Sequence, residues 1–468
     1  MNHPKLIQGG MGIGVSWWQL PRVVSMLKQL GVVSGAHADI VFVRILQLGD
    51  PGGHLRRALE HFPAQDVAER IIATYYNEGG LLAHKAFKNP PRYTLAFDQR
   101  LAELTVAANF CLVWLAKEGH DGVVGINLLE TIQLPQLASI YGAMMAGVDY
   151  ILMGAGIPTQ ISGVLDKFVN HEPAQYKVHV LGADRKDSYY VSFDPQSIWT
   201  PTTTLTRPYF FPIISSASLA KMLIRSGQID GLVCEGSPAG GHNAPPRGQL
   251  KLTEDGQPIY GDRDKLDFEQ MRQTGIPFWL AGSYATPAGM RKALEVGAQG
   301  IQAGSIFALC DESRFLPEIK AVARQLASVD GLRIFTDPQA SPKGFPFKKA
   351  ILAGTLTDSE KYAQRRRVCD LGRLRGPCIR SDGTLGYRCS AENVDSFVAK
   401  GGSVEDTINC ICLCNALLAN VGLAQRRKGG ELELPFITFG DDYSWLKVLS
   451  PDGANYTARQ AVDYLLSG

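Results

Sequence analysis

The sequence predicts an α/β protein built on a (β/α)8 barrel (TIM barrel), and three observations predict it. Eight short apolar runs occur without polar alternation, which is how a strand reads when both its faces are buried in a parallel sheet. Stretches with apolar residues three and four apart lie between them, so the repeating unit is strand, turn, helix. Several runs end in glycine or another small residue, and glycine makes up 49 of the 468 residues, above the roughly 7% of ordinary usage. With 45% hydrophobic and 20% charged residues, the chain has the balance of one that folds and buries a core.

In chain order, the first strand is expected at 5–9, followed by a glycine-rich loop and a helix over 17–30. The second strand is 32–35. The stretch 41–121 is too long for one connecting helix, and its pattern predicts a helical insertion with helices at 64–77 and 99–117. Strands follow at 123–128 and 149–154, separated by a helix over 135–146. Two β-rich runs, 176–181 and 189–193, read as a hairpin inserted at about 165–208. The fifth strand, 211–215, leads into a helix over 218–226, and the sixth spans 229–236. A second hairpin is expected at about 249–266, where Asp255-Gly256 is a turn signal. Strands seven and eight, 276–282 and 298–304, flank a helix over 287–296. The barrel then occupies 1–345, and 346–468 reads as a basic, cysteine-rich, helical C-terminal extension.

The 47 basic and 45 acidic residues leave a net charge of +2, so no overall field draws the chain to nucleic acid or an anionic membrane. No apolar run approaches the ~20 residues of a membrane span, and no signal-peptide pattern follows Met1. The expectation is a cytoplasmic protein acting on a small molecule, with a homodimer as an allowed assembly. Nine cysteines without a secretory signal argue for reduced thiols or a metal site rather than a disulfide framework. Six of them, Cys369, Cys378, Cys389, Cys410, Cys412 and Cys414, fall within 46 residues. In an extended run Cys410, Cys412 and Cys414 would share one face, which makes them the candidate metal ligands; buried free thiols are the other reading.

The loop after the sixth strand, Ser237-Pro238-Ala239-Gly240-Gly241-His242-Asn243, presents a histidine beside two glycines. Missing Cβ atoms let backbone approach a flat ligand, Pro245 and Pro246 stiffen the loop, and an imidazole so placed can act near neutral pH. Strands seven and eight end in Ala281-Gly282-Ser283 and Ala303-Gly304-Ser305, small-residue turns of the kind that hold phosphate in such barrels. The first loop, Gly9-Gly10-Met11-Gly12-Ile13-Gly14, matches a dinucleotide fingerprint only loosely, and no acidic residue closes a second strand near Val33, so a Rossmann site is rejected.

The order of Ile7-Gln8-Gly9-Gly10-Met11-Gly12, Gly125-Ile126-Asn127-Leu128, Ala239-Gly240-Gly241-His242, Leu280-Ala281-Gly282-Ser283 and Gly304-Ser305-Ile306-Phe307-Ala308 resembles the nitronate monooxygenase (2-nitropropane dioxygenase-like) family, over about 4–345. The same barrel family includes a flavin-dependent enoyl-acyl-carrier-protein reductase. The resemblance implies an FMN-binding barrel. By motif, Gln8, Gly9, Gly10 and Met11 would lie against the isoalloxazine and Asn127 would hydrogen-bond its polar edge. Gly282, Ser283, Gly304 and Ser305 would hold the FMN phosphate, with Glu235, Gly240, Gly241 and Ala303 as further cofactor contacts. His242 would be the base or substrate-orienting group, with O2 as redox partner in a nitronate oxidation or NAD(P)H in an enoyl-thioester reduction.

Pro238 stands where the family commonly has Glu, and Ser283 where a second glycine is usual; both changes bear on substrate more than on flavin. The stretch 343–388 holds 11 Lys or Arg and 4 Asp or Glu and reads as a solvated face, or as the dock for a phosphate-bearing substrate tail. Two other functions are compatible with the residues: a flavin-free lyase or isomerase using His242 on a phosphorylated substrate, and a scaffold whose cysteine-rich end binds a partner or metal. Flavin is favoured because Gln8 to Met11, Asn127 and the two turns each address a different part of one ligand.

Overall fold

The computed structural model describes residues 3–427 and 430–467. Eight parallel strands close into a ring in sequence order. They are β1 (Leu6–Gln8), β2 (Leu30–Ser34), β3 (Val124–Leu129), β4 (Tyr150–Gly154), β5 (Tyr209–Ile214), β6 (Leu232–Glu235), β7 (Phe278–Ala281) and β8 (Gly300–Ala303). Each expected strand is there, and β1 closes on β8 by pairing Leu6 with Ile301 and Gln8 with Ala303.

Ile7, Leu30, Val32, Leu152, Phe211, Val233 and Trp279 fill the ring's interior. At the N-terminal end the His3 ring packs edge-on against Tyr150, Phe211 and Trp279, and its Nδ1 lies 2.8 Å from the Tyr150 hydroxyl. That plug closes one end, so a ligand must enter at the other, where the strands' C-terminal ends emerge. Strand–loop approach also demands absent side chains: a Cβ on Gly300 would lie 1.7 Å from the Lys5 carbonyl oxygen.

Crossover helices Gln136–Met145, Ala217–Ser226 and Pro287–Glu295 cover the ring. Ser216 and Thr286 cap the last two by accepting the Leu219 and Gly289 N–H groups at 3.2 and 2.9 Å, as hydroxyl side chains do at helix starts. The insertion after β2 is helical, with Ala38–Gln47, His54–Glu60, Gln65–Tyr75 and Gln99–Lys117. Between β4 and β5, Ala174–Val178 pairs antiparallel with Tyr189–Phe193. The second expected hairpin is reduced to one bridge between Leu252 and Pro258, because its residues, Leu250, Leu252 and Ile259 included, are exposed and have nothing to pack against.

The chain beyond β8 is less helical than expected. Arg333–Asp337 pairs with Phe347–Ile351 across position 345, and Gly376–Ile379 pairs with Leu385–Arg388, around a tight turn at Asp382-Gly383. Helices Leu413–Ala419 and Ala458–Leu466 follow. The basic stretch is only partly a solvated face. Arg373 is buried and pairs with buried Asp39 at 2.5 Å; Lys348 is buried and pairs with Asp441 at 2.8 Å. Arg367 donates to the Glu392 and Thr407 carbonyls, and Arg365 to that of Cys410. Irregular backbone leaves carbonyls without ladder partners, and these guanidinium groups satisfy them.

Asp39 lies in the insertion after β2 and Arg373 in the extension, so their ion pair ties the two together. Asp39→Ala strands a buried guanidinium and is expected to cost about 3–5 kcal/mol. A fall in the thermal unfolding midpoint checks this; an unchanged midpoint would show that the pair does not anchor the extension.

Candidate active site

A cavity of about 250 Å³ opens at the C-terminal ends of the strands. Gly9, Gly10 and Met11 reach it from β1, Asn127 from β3, Glu235 from β6, and Gly240, Gly241 and His242 from the loop beyond. Gly282 and Ser283 after β7, with Ala303, Gly304 and Ser305 at β8, complete the rim. Gly10 must be glycine, since a Cβ there would sit 2.5 Å from Asn127 Cβ. Gly282 and Ser283 turn in left-handed backbone at φ 89° and 63°.

Gln8, expected against a ligand ring, is not in the cavity wall. Its fully buried carboxamide accepts the Val32 N–H at 3.1 Å and donates to Ser16 Oγ at 2.9 Å. Ser16 Oγ in turn accepts the Met11 N–H at 3.0 Å. Gln8 thus joins β1 to β2 and fixes the glycine loop from behind.

The His242 ring meets Phe347 and Phe345 edge-on, with centroids at 4.9 and 6.0 Å, and its Nε2 lies 2.7 Å from Ser341 Oγ. Burial, then the nearby Lys343 charge, lower its pKa to about 4, so the ring is neutral at pH 7. The loop carrying it is gripped by the extension. Gly241 N–H donates to Thr438 Oγ1 at 2.7 Å, Asn243 N–H to the Pro346 carbonyl at 2.8 Å, and Asp441 N–H to the Pro238 carbonyl at 3.0 Å. Gly240 makes room for that grip, since a Cβ there would come within 2.9 Å of the Phe439 carbonyl carbon.

Burial pushes the Glu235 carboxyl up to about 8. Several buried polar atoms of the cavity wall have no partner in the protein: Ser34 Oγ, both His37 ring nitrogens, Asn127 Oδ1 and Gln302 Oε1. An unpaired buried polar atom is costly, and atoms of this kind gathered on one cavity suit a polar ligand that completes them. Backbone brought close at Gly9, Gly10, Gly240 and Gly241, orphaned acceptors for a ring N–H and small-residue turns at the rim fit a flavin.

Sequence reasoning did not find Ser34, His37 or Gln302, nor Leu413, Leu417, Thr438, Phe439, Asp442 and Trp445, which the extension adds to the wall. The signal for His37 was present, a histidine just past a buried strand; for the extension no local pattern marks which residues fold back. A second cavity of about 930 Å³ shares Ile132 and Leu374 with the first and is lined by Ser341, Lys343 and Cys389, among others.

The cysteines are free and most are buried, and the run 410–414 is not the extended one expected. Among the described residues no three His, Cys, Asp or Glu side chains are placed to hold a metal. Cys410 lies in a loop with its thiol 3.2 Å from Ser390 Oγ, whereas Cys412 precedes and Cys414 lies within the helix Leu413–Ala419. The run is not extended, so the thiols do not line up by strand alternation, yet the Cys412 and Cys414 thiols hydrogen-bond each other, with Cys369 and Cys389 close enough to act on Cys414.

A carboxyl whose folded pKa is raised destabilises the fold increasingly as pH climbs from the unfolded value, 4.5, to the folded value of about 8. Glu235→Gln is therefore expected to stabilise the protein at pH 9 relative to pH 5, by on the order of a few kcal/mol. Thermal midpoints at the two pH values check it, and equal gains at both would place the Glu235 carboxyl elsewhere.

Residues 195–342 match the family model described as nitronate monooxygenase. No curated protein sequence matches the chain. Among solved structures, FabK from Thermotoga maritima is 16% identical, with 100% of this chain and 92% of that chain covered, at a TM-score of 0.49. Nitroalkane oxidase from Streptomyces ansochromogenes is 13% identical, covers 99% and 95%, and has a TM-score of 0.44. The enoyl reductase domain of MlnA from Bacillus amyloliquefaciens is 13% identical, covers 78% and 68%, and has a TM-score of 0.36. No helix among the described residues is long and apolar enough to cross a membrane. Residues 195–342, which hold β5 to β8 and the 239–242 loop, are thus similar to the nitronate monooxygenases, and the chain is an oxidoreductase on a (β/α)8 barrel.

Proposed function

We propose that this protein is an FMN-dependent oxidoreductase that oxidises nitronates with O2, with His242 orienting the substrate. The observation that carries the reading is the single cavity shared by a neutral His242, the unpartnered Ser34, Asn127 and Gln302, and the turns after β7 and β8. Gly9, Gly10 and Met11 would form the wall against the ring, Asn127 Oδ1 or Gln302 Oε1 would accept a ring N–H, and Gly282, Ser283, Gly304 and Ser305 would hold the phosphate. When bound, the flavin supplies the electron-accepting centre and dioxygen the terminal oxidant.

The surroundings of His242 favour orientation over proton abstraction. Ser341 Oγ accepts the Lys343 N–H at 3.2 Å, and the hydroxyl is free to give its own proton to Nε2. The ring then carries its N–H at Nδ1, as a donor. A nitronate is already deprotonated and needs a donor to its anionic oxygens rather than a base. Leu413, Leu417, Phe439 and Trp445 from the extension keep the site dry, which strengthens that contact.

A second reading, an NAD(P)H-dependent enoyl-thioester reductase, is favoured by the adjoining cavity of about 930 Å³, larger than a small nitronate needs. Turnover of nitronate under air against NAD(P)H oxidation with an enoyl thioester under argon separates the two. A colourless protein that takes up no FMN would instead leave a flavin-free lyase or isomerase.

His242→Ala is expected to keep bound FMN and lose about 10²-fold or more in turnover; unchanged nitronate turnover would remove His242 from the reaction. Because the imidazole ionises near 4, kcat/KM on preformed nitronate should stay level from pH 7.5 to 5.5. A limb at pH 6.5 would contradict the desolvated histidine. Gly304→Asp places a carboxylate at the phosphate turn and should deplete FMN on purification; full occupancy would refute that placement.

A further inference from the structure

The loop after β2 brings a second imidazole to the cavity, one to which the proposed reaction gives no task. His37 is 7% exposed and lines the cavity, and neither of its ring nitrogens has a hydrogen-bond partner. Its backbone is left-handed at φ 56°, a conformation a β-substituted residue adopts at a cost. A residue both strained and unpaired is characteristic of functional sites.

The charged groups nearest this ring are paired with one another. Asp39, two residues on, gives its carboxylate to Arg373 and accepts the Tyr93 hydroxyl at 3.4 Å, while the Arg373 guanidinium lies 4.4 Å from the centre of the Tyr93 ring. Burial, then the charges of Arg373 and Lys343, hold the His37 pKa down to about 3, so it is a neutral imidazole with one N–H to give.

Strand register sets two of the other orphans side by side. Ser34 at the end of β2 is the partner of Asn127 on β3, and His37 follows Ser34 by three residues. All three line the same cavity from the β2–β3 side of the ring, across the barrel from the β6 loop that carries His242. They offer one unpaired acceptor, Asn127 Oδ1, and two unpaired donors, the Ser34 hydroxyl and the His37 N–H. An imide edge presents the complement, one N–H and two carbonyl oxygens.

We propose that His37 donates its ring N–H to a carbonyl oxygen on the pyrimidine edge of the bound flavin, with Ser34 as the second donor and Asn127 as the acceptor. The inference rests on the flavin reading above and adds a residue that contacts the cofactor. Reduction places negative charge on that edge, so a donor there should raise the flavin's reduction potential as well as its affinity.

The test is titration of FMN into flavin-stripped protein, read by the visible difference spectrum, followed by the midpoint potential. His37→Gly removes the imidazole and relieves the left-handed strain, so a loss of folding does not obscure the result. Its expected effect is about tenfold weaker FMN binding, that of one neutral hydrogen bond, with an altered flavin band and a lower potential. His37→Asn, which tolerates the same backbone and carries an N–H, should recover part of both. Wild-type affinity, spectrum and potential in His37→Gly would overturn the proposal. If only the KM for nitronate rises in that variant, His37 serves the substrate and the proposal fails while the flavin reading stands. If the wild-type protein takes up no FMN, the flavin reading falls first and this proposal with it.

Discussion

Closure of eight parallel strands into one ring is the constraint on which the rest of this molecule depends. A closed ring leaves no unpaired edge, and parallel strands send all their C-terminal ends to one rim. Residues as far apart in the chain as Gly9, Asn127, His242 and Ser305 therefore wall the same cavity. The opposite end is filled by the aromatic plug around His3, which leaves the rim as the place where a ligand can be held.

The rim alone does not make the site. The extension folds back over it and contributes Leu413, Leu417, Phe439 and Trp445 to the wall, and its backbone and the Thr438 hydroxyl hold the 238–243 loop. That cover desolvates the chemistry beneath it. Burial drives both His242 and Glu235 toward their uncharged forms, in opposite directions on the pKa scale, because a dry site penalises whichever form carries charge. The charges that remain are satisfied behind the wall, as where Arg373 meets Asp39.

Much of this was legible because it is local. Burial on both faces writes itself into uninterrupted apolar runs, so all eight strands could be read. The turns at 282–283 and 304–305 stand out because small residues follow a strand. Gln8 shows the limit of that logic: its neighbours Gly9 to Met11 line the cavity, yet its own side chain is consumed in bracing β1 against β2. His37 shows the converse, a residue whose role turns on its being buried and unpaired, which no spacing announces.

The sequence by itself determined the barrel, the order of its strands and the loops that meet at its rim, because strand and helix periodicities and glycine turns are properties of a few consecutive residues. Tertiary structure alone decided that the extension forms part of the cavity, that much of the basic stretch braces backbone carbonyls and carboxylates, and that Cys412 and Cys414 meet at the start of a helix rather than along a strand. The first two outcomes depend on which residues meet across hundreds of positions, as Asp39 meets Arg373 and Pro238 meets Asp441. Contacts of that range leave no periodic trace in the chain that makes them.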